Sequence, residues 1–130
     1  MANELHIMVC VTKQKTCERL IREGIAFARA MRARLSVVHV ARSGEALLGN
    51  PSESDALDYL FRVSREAGAE MAVLRSEDVL ETLAAYAEEQ EVSALVVGAS
   101  NVRSERDMGL QLIERLPQMD IRAVYTDEAC

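Results

Sequence analysis

The chain has 130 residues, the size of one compact domain, and its 49% hydrophobic and 28% charged residues are typical of a folded globular protein. Its longest apolar runs are far shorter than the roughly 18 residues of a membrane span, so we expect no membrane association. The net charge of −6 argues against a nucleic-acid-binding protein, which needs a basic surface to neutralise phosphates.

The first half of the chain alternates between strand and helix patterns. Residues 5–11 form a nearly continuous apolar run, which predicts a strand covered on both faces. Apolar residues then recur at helical spacing over 17–32, with Thr16 as the expected N-cap and a core stripe that ends at Met31. A valine-rich strand is predicted over Leu35–Val40, and the turn-forming residues of 42–51 predict a loop.

The second half repeats this alternation three times. Ser52 is expected to cap a helix over 52–67 whose core stripe includes Leu57 and Phe61. The remaining elements are a strand over 71–74, a helix opened by Ser76 or Asp78, a strand over 92–98, a helix over 107–116 and a strand over 121–125. The order βαβαβαβαβ predicts one α/β domain over 1–130, a doubly wound, mainly parallel five-stranded sheet with four helices.

Cysteine and histidine usage indicates a reduced, cytoplasmic protein without a metal site. The three cysteines and two histidines form no zinc-binding spacing, and the first residues lack a signal-peptide pattern. Cys10 and Cys130 are expected to have no chemical role. Cys17 is either a reactive thiol at a helix amino end or a structural residue. His39, near the end of the second strand, is expected to be a satisfied, half-buried side chain.

Basic residues are unevenly distributed along the chain. Residues 1–50 carry a net charge of +4 and residues 51–130 a net charge of −10. Thirteen of the fifteen basic residues are arginine, and the two lysines, Lys13 and Lys15, lie in one segment. That segment, 12–16, follows the first strand, whose carboxyl end flanks the usual ligand crevice of a parallel sheet. The free N–H groups of the next helix favour an anion there. The alternative is a solvated loop with no ligand.

A second candidate segment follows the fourth strand. Gly98 and the small residues after it permit close approach of a ligand to the backbone. An anion between this segment and the first loop would meet four cationic side chains, which are Lys13, Lys15, Arg103 and Arg106. The alternative is that these charges are exposed and share no ligand. Dinucleotide, P-loop, phosphoacceptor and cysteine-phosphatase motifs are all missing from the sequence.

The order of elements and several segments resemble the universal stress protein family. The segments are Ile7–Val11, Glu18–Ile21, Leu35–Val40 and Ala94–Ser100. The first forty residues are similar to the stress-protein-type domain of potassium-transport sensor kinases. The resemblance implies a regulatory role and a homodimer paired through the last strand, Ile121 to Tyr125. Together with the two segments described above, it predicts a nucleotide or anion site whose candidate residues are Thr12, Lys13, Gln14, Lys15, Val40, Gly98, Ser100, Asn101 and Arg103.

The sequence departs from the G-x2-G-x9-G-[ST] signature of the family's ATP-binding members. Gly98 matches the first glycine, but Asn101 and Gln111 stand at the other glycine positions, and Leu112 stands where serine or threonine belongs. Thr12 or Lys13 replaces an aspartate after the first strand. We therefore expect a non-enzymatic binding module that is no tight ATP binder, with ATP or another nucleotide as its cofactor only if one binds. The alternatives are a slow nucleotide hydrolase and a protein-interaction domain with a vestigial pocket.

Overall fold

A computed structural model describes residues 4–99 and 108–125 of the chain. The elements are β1 (His6–Cys10), α1 (Gln14–Met31), β2 (Arg34–Arg42), a short 3-10 turn (Leu47–Gly49), α2 (Glu53–Glu66), β3 (Glu70–Ser76), α3 (Val79–Glu89), β4 (Ala94–Ala99), α4 (Met108–Arg115) and β5 (Asp120–Tyr125). All strand pairs are parallel, in the order β3-β2-β1-β4-β5. The predicted doubly wound α/β fold is confirmed. In the described ranges, no helix combines the length and apolar character of a membrane span.

Strand alternation divides the core into two layers. Ile7 and Val9 point into a cluster under α1 and α2, whereas Met8 and Cys10 point into a second cluster under α3 and α4. Both faces of β1 are therefore covered, as its continuous apolar sequence predicted. α1 packs closely on β1 at Gly24, where an added Cβ would lie 2.3 Å from a methyl of Val9. A glycine is needed at this contact because no side chain fits there.

The first helix begins three residues earlier than its apolar pattern predicted. Lys13 is the N-cap, with extended backbone angles, and α1 starts at Gln14. The prediction that Thr16 caps the helix is wrong. Its hydroxyl donates instead to the carbonyl of Lys13 at 3.2 Å, within the first turn. Periodicity missed this turn because its outer residues are polar, and only backbone hydrogen bonding defines it.

The second helix exposes two residues that its periodicity placed in the core. Leu57 is 37% exposed and Phe61 is 56% exposed. The side of α2 that faces the core is the one that carries Ala56, Leu60 and Val63. The predicted cap is correct, since the Ser52 hydroxyl accepts from an N–H of the first turn. The helix sequence offers a wide apolar arc, and packing on β3 and α1 selects which side of that arc is buried.

The last residue of the α1 stripe is also exposed. Met31 was predicted to face the core, yet 46% of it is accessible. The other predicted stripe residues of α1 are buried, including Leu20, Ile21 and Phe27. Met31 lies in the last turn of α1, where its side chain lines a groove between α1 and β5 at the edge of the sheet.

Candidate functional site

The order of the strands places the ligand crevice beside β1. The chain moves from β1 outward to β2 and β3, then returns to β4 on the other side of β1. Because the helices leaving β1 and β4 turn to opposite faces of the sheet, a crevice opens at the carboxyl ends of these two strands. Cys10 pairs with Val97, so the loop at Thr12 and the strand exit at Gly98 lie at the same edge of the sheet.

The β1–α1 junction presents cations beside the start of a helix. Thr12, Lys13 and Lys15 are exposed at this edge. Within the described residues, α1 has no side-chain cap and no acidic residue in its first turn. By contrast, α2 and α3 have side-chain caps from Ser52 and Asp78 and acidic residues in their first turns. The amino end of α1 therefore retains the positive end of its dipole, which favours an anion.

Two predicted site residues are held by the surrounding structure. Val40 is buried in the cluster under α3 and α4, two residues beyond the last β1–β2 pair, Cys10 with Val38, and at the same end of the sheet as Thr12. The side chain of Gln14 accepts a hydrogen bond from Asn50 Nδ2 at 2.9 Å, and its backbone carbonyl accepts from the Tyr59 hydroxyl at 3.4 Å. Gln14 thus connects the β1–α1 junction to the segment that leads into α2.

The remaining predicted site residues lie partly outside the described ranges. Gly98 is half-buried in β4 and pairs with Val124 of β5. Ser100, Asn101 and Arg103, together with Arg106, fall in 100–107 and outside the described residues. The structure therefore brings Thr12, Lys13, Gln14, Lys15, Val40 and Gly98 to one edge of the sheet.

His39 joins the end of β1 to the segment after β2. Its Nδ1 donates to the Val11 carbonyl at 2.8 Å, and its Nε2 accepts from the Leu48 N–H at 3.0 Å. Since a carbonyl only accepts and an N–H only donates, these bonds define a neutral ring. Burial lowers the pKa of His39, and the nearby Arg75 cation lowers it further. The expectation of a hydrogen-bonded histidine is confirmed, but the expectation that it is half-buried is wrong, since the turn at Leu48 packs against it and leaves it 4% exposed.

The contribution of the 3-10 turn was missed by the sequence reasoning. Leu47 and Leu48 are buried, and Leu48 has a positive φ of 55°. A pair of leucines inside a segment of glycine, serine and asparagine was the signal that this loop folds back onto the core. The loop packs beside the β1–α1 junction and supports it through His39 and Asn50.

Cys17 is a structural residue. Its side chain is fully buried, and its thiol donates to the Lys13 carbonyl at 3.2 Å. Burial, followed by the Glu18 charge, raises the pKa of Cys17 to about 12. The thiolate form is therefore scarce at neutral pH, and the reactive-thiol alternative is wrong. Burial likewise raises the pKa of Cys10 to about 12 in the middle of the core.

The chemical groups at the β1–α1 junction are compatible with an anionic ligand. The residues 12–16 supply ammonium, amide and hydroxyl groups but no carboxylate. No cluster of metal-binding side chains occurs among the described residues. Leu112, at the position of the signature hydroxyl, is fully buried on the inner face of α4 and packs in the core. A separate groove of about 370 Å³ beside Ser93 and Arg115 lies at the opposite end of the sheet, among the amino ends of the strands.

The comparisons with known proteins agree on one family. The sequence profile of the universal stress protein family matches residues 5–111. A universal stress protein from Archaeoglobus fulgidus is 21% identical, with 92% of each chain covered and a TM-score of 0.67. A universal stress protein in complex with cAMP is 18% identical, with 96% of this chain and 99% of that chain covered and a TM-score of 0.68. The Archaeoglobus fulgidus protein in complex with dAMP is 20% identical, with 95% and 98% covered and a TM-score of 0.63. No curated protein matches the sequence.

Proposed function

Since the chain belongs to the universal stress protein family, we propose that it is a cytoplasmic, regulatory binding module of the stress response. Its ligand is an anion or a nucleotide, bound at the carboxyl ends of β1 and β4. The observation that carries this proposal is the start of α1, which lacks a side-chain cap in the described structure and stands beside Lys13 and Lys15. Two structural relatives are complexes with cAMP and dAMP, and they support a nucleotide.

The site is proposed to bind ATP weakly. A glycine lets phosphate approach the backbone, and the side chains of Asn101 and Gln111 stand at two such positions of the family signature. Leu112 places a buried alkyl group where the signature has a hydroxyl. A smaller anionic ligand, held by the α1 dipole and the two lysines, does not depend on those positions.

Binding without catalysis is proposed for the same site. A hydrolase needs a group to activate water, and 12–16 offers no carboxylate, histidine or accessible thiol. The alternative of a slow nucleotide hydrolase therefore requires a base from another part of the chain. The other alternative, a protein-interaction domain with a vestigial pocket, requires that no small ligand stabilises the fold.

Ligand-induced stabilisation separates these functions. Thermal unfolding is measured with ATP, ADP, AMP, cAMP and inorganic phosphate. A ligand at about 100 times its Kd stabilises the fold by about 2.7 kcal/mol, which raises Tm by several degrees. Stabilisation by nucleotides and not by phosphate supports a nucleotide module. No stabilisation by any of the five ligands contradicts the proposal and leaves the interaction domain.

Two charge variants test where the ligand binds. Replacing Lys13 and Lys15 with glutamine is expected to weaken binding roughly 5- to 30-fold, because each exposed charge contributes about 0.5–1 kcal/mol. The matched control replaces Arg29 and Arg65, which lie in the last turns of α1 and α2, and removes the same net charge. Equal weakening by both variants would indicate a general charge effect. ATP turnover that is lost only in the lysine variant would establish the hydrolase.

A homodimer through β5 is proposed as the assembly of this module. β5 is an edge strand, and its backbone offers unpaired hydrogen-bonding groups. A groove of about 280 Å³ between α1 and β5 exposes apolar side chains, including Met31 and Val124. Above this groove, Arg122 stacks on Phe27, with its guanidinium 3.7 Å from the ring centre. A second copy paired on β5 would cover this apolar surface.

The dimer is tested by sedimentation at micromolar concentration. A Met31→Asp variant is expected to sediment as a monomer while its circular dichroism stays unchanged, because Met31 is 46% exposed in the single chain and the new charge is desolvated only in the dimer. Phe61→Asp is the matched control, since Phe61 is exposed on α2 and away from β5. A wild-type chain that sediments as a monomer would overturn the proposed assembly.

A further inference from the structure

The exposed side of α1 carries a line of basic residues on a protein whose net charge is −6. We define the basic ridge as the four exposed residues Lys15, Arg19, Arg22 and Arg29. At about 100° and 1.5 Å per residue, the four lie within about 80° of arc and extend over about 21 Å of helix. Ala26, exposed on the same line, leaves the middle of the ridge free of a long side chain.

The side chains of the basic ridge form none of the ion pairs found among the described residues. The described ion pairs involve Arg34, Arg62, Arg75, Arg115 and Arg122, and none of them includes a side chain of α1. Acidic residues stand at helical pairing distance on α1 itself, with Glu18 four residues from Arg22 and Glu23 four residues from Arg19. Neither pair forms, and Glu18 interacts with Tyr59 instead.

This arrangement opposes the stability of the helix that carries it. Like charges three and four residues apart, as in Lys15, Arg19 and Arg22, weaken a helix. Lys15 also lies in the first turn, where the helix dipole repels a cation. A binding partner that supplies carboxylates along the same line removes these repulsions. The ridge is therefore better explained by a partner than by the folding of this chain.

We infer that the basic ridge is the docking surface for an acidic helix of a partner protein. The ridge is one side chain wide, with Glu18 on one flank and Glu23 on the other. An acidic helix with carboxylates every three and four residues presents an equally narrow line of charge at the same spacing. The three arginines of the ridge can each bind a carboxylate through two N–H groups.

Broader anionic surfaces fit the ridge less well. A nucleic acid duplex or a lipid bilayer would bring negative charge against Glu18 and Glu23 as well as against the ridge. Ala26 is the one apolar side chain on this line, and membrane-bound helices need large apolar residues to insert. The acidic partner helix avoids both costs because it touches only the ridge and the small residue at its centre.

The test uses a designed probe. An alanine-based helical peptide of about 20 residues carries glutamates every three and four residues along one face. A control peptide has the same composition, with the glutamates distributed around the helix. Binding to the full chain is measured by fluorescence anisotropy at low salt. We expect the ordered peptide to bind roughly tenfold more tightly than the control, and salt to weaken the binding.

Variants of the protein locate the binding surface. Replacing Arg19, Arg22 and Arg29 with glutamine is expected to weaken peptide binding roughly tenfold or more. The matched control removes three exposed cations outside the ridge, which are Arg32, Arg62 and Arg65. Both variants retain Lys13 and Lys15, so nucleotide binding reports separately on the proposed function.

Four results would overturn the inference. One is equal binding of the two peptides, and another is equal weakening by the two protein variants. The third is tighter binding to random-sequence duplex DNA, or to vesicles with equal parts of phosphatidylserine and phosphatidylcholine, than to the ordered peptide. The fourth is self-association of the wild-type chain that disappears in the ridge variant, which would identify a second copy as the occupant.

Discussion

The two hydrogen bonds of the His39 ring connect the core to the candidate site, and their contribution to stability can be predicted. Replacing His39 with leucine fills the position with an apolar side chain but leaves the Val11 carbonyl and the Leu48 N–H without their partner. Each buried backbone group that loses its hydrogen bond costs about 1–3 kcal/mol. The free energy of unfolding of the variant is therefore expected to be about 2–6 kcal/mol lower than that of the wild type. This is a large part of the roughly 5–15 kcal/mol of a typical domain.

Two further variants at the same position separate the two bonds. Asparagine places its amide nitrogen near the position of Nδ1 and retains the bond to Val11. Glutamine places its amide oxygen near the position of Nε2 and retains the bond to Leu48. Each is expected to lose about half as much free energy of unfolding as the leucine variant. Urea unfolding followed by circular dichroism measures these losses, and hydrogen exchange reports on the Leu48 amide.

The same histidine makes stability depend on pH. Its pKa is lowered in the folded state because burial disfavours the charged ring. Below about pH 6.5 the unfolded chain binds a proton at this residue and the folded chain does not. The contribution to stability is therefore complete above that pH and declines as the pH falls toward the lowered pKa. The leucine variant lacks this contribution, although buried His6, whose pKa is also lowered mainly by burial, retains its own.

Two observations together would refute the role of His39 in holding the loop. If the leucine variant loses less than about 1 kcal/mol and the Leu48 amide exchanges at the wild-type rate, the two bonds do not hold the loop. A loss of less than about 1 kcal/mol in the free energy of unfolding, together with faster exchange of the Leu48 amide, would instead show that the loop opens locally while the core remains folded.

Three further predictions concern the stability of single helices, each measured by urea unfolding. Gly24→Ala is expected to lower the free energy of unfolding by about 1–2 kcal/mol, because crowding against Val9 at 2.3 Å exceeds the gain in helix propensity of about 1 kcal/mol. Ala26→Gly is the control that measures the propensity difference alone. A Gly24→Ala variant more stable than the wild type would contradict the crowding. Ser64→Ala is expected to be neutral or stabilising by about 1 kcal/mol, because the hydroxyl is buried without a hydrogen-bond partner. Asp78→Ala is expected to lose about 1 kcal/mol by removing the cap of α3, and Asp78→Asn should retain most of it.

Local patterns in the sequence were enough to predict the elements and their order. The continuous apolar run of β1 predicted a strand covered on both faces, and the valines of β2 predicted a second strand. The caps at Ser52 and Asp78 are short-range interactions between residues three apart, so they too were visible in the sequence. Both lysines of the chain lie between the predicted first strand and the predicted first helix, so the sequence also predicted a cationic β1–α1 junction.

Long-range contacts decided what these patterns left open. The start of α1 depended on backbone bonds at Lys13, and the exposed position of Phe61 depended on how α2 packs, which residue spacing cannot specify. The support of the junction by His39 joins residues 28 and 9 positions apart, so no local pattern contained it.

The sequence by itself determined the fold class, the covered strands and a cationic loop, because these depend on residue periodicity and composition. The tertiary structure decided that Cys17 is an inert core residue and that Lys15 belongs both to the candidate anion site and to a ridge along α1. It also decided that the 3-10 turn at Leu48 packs against β2 and is joined through His39 to the end of β1. These outcomes depend on burial and on hydrogen bonds between distant segments, which form only when the chain is packed.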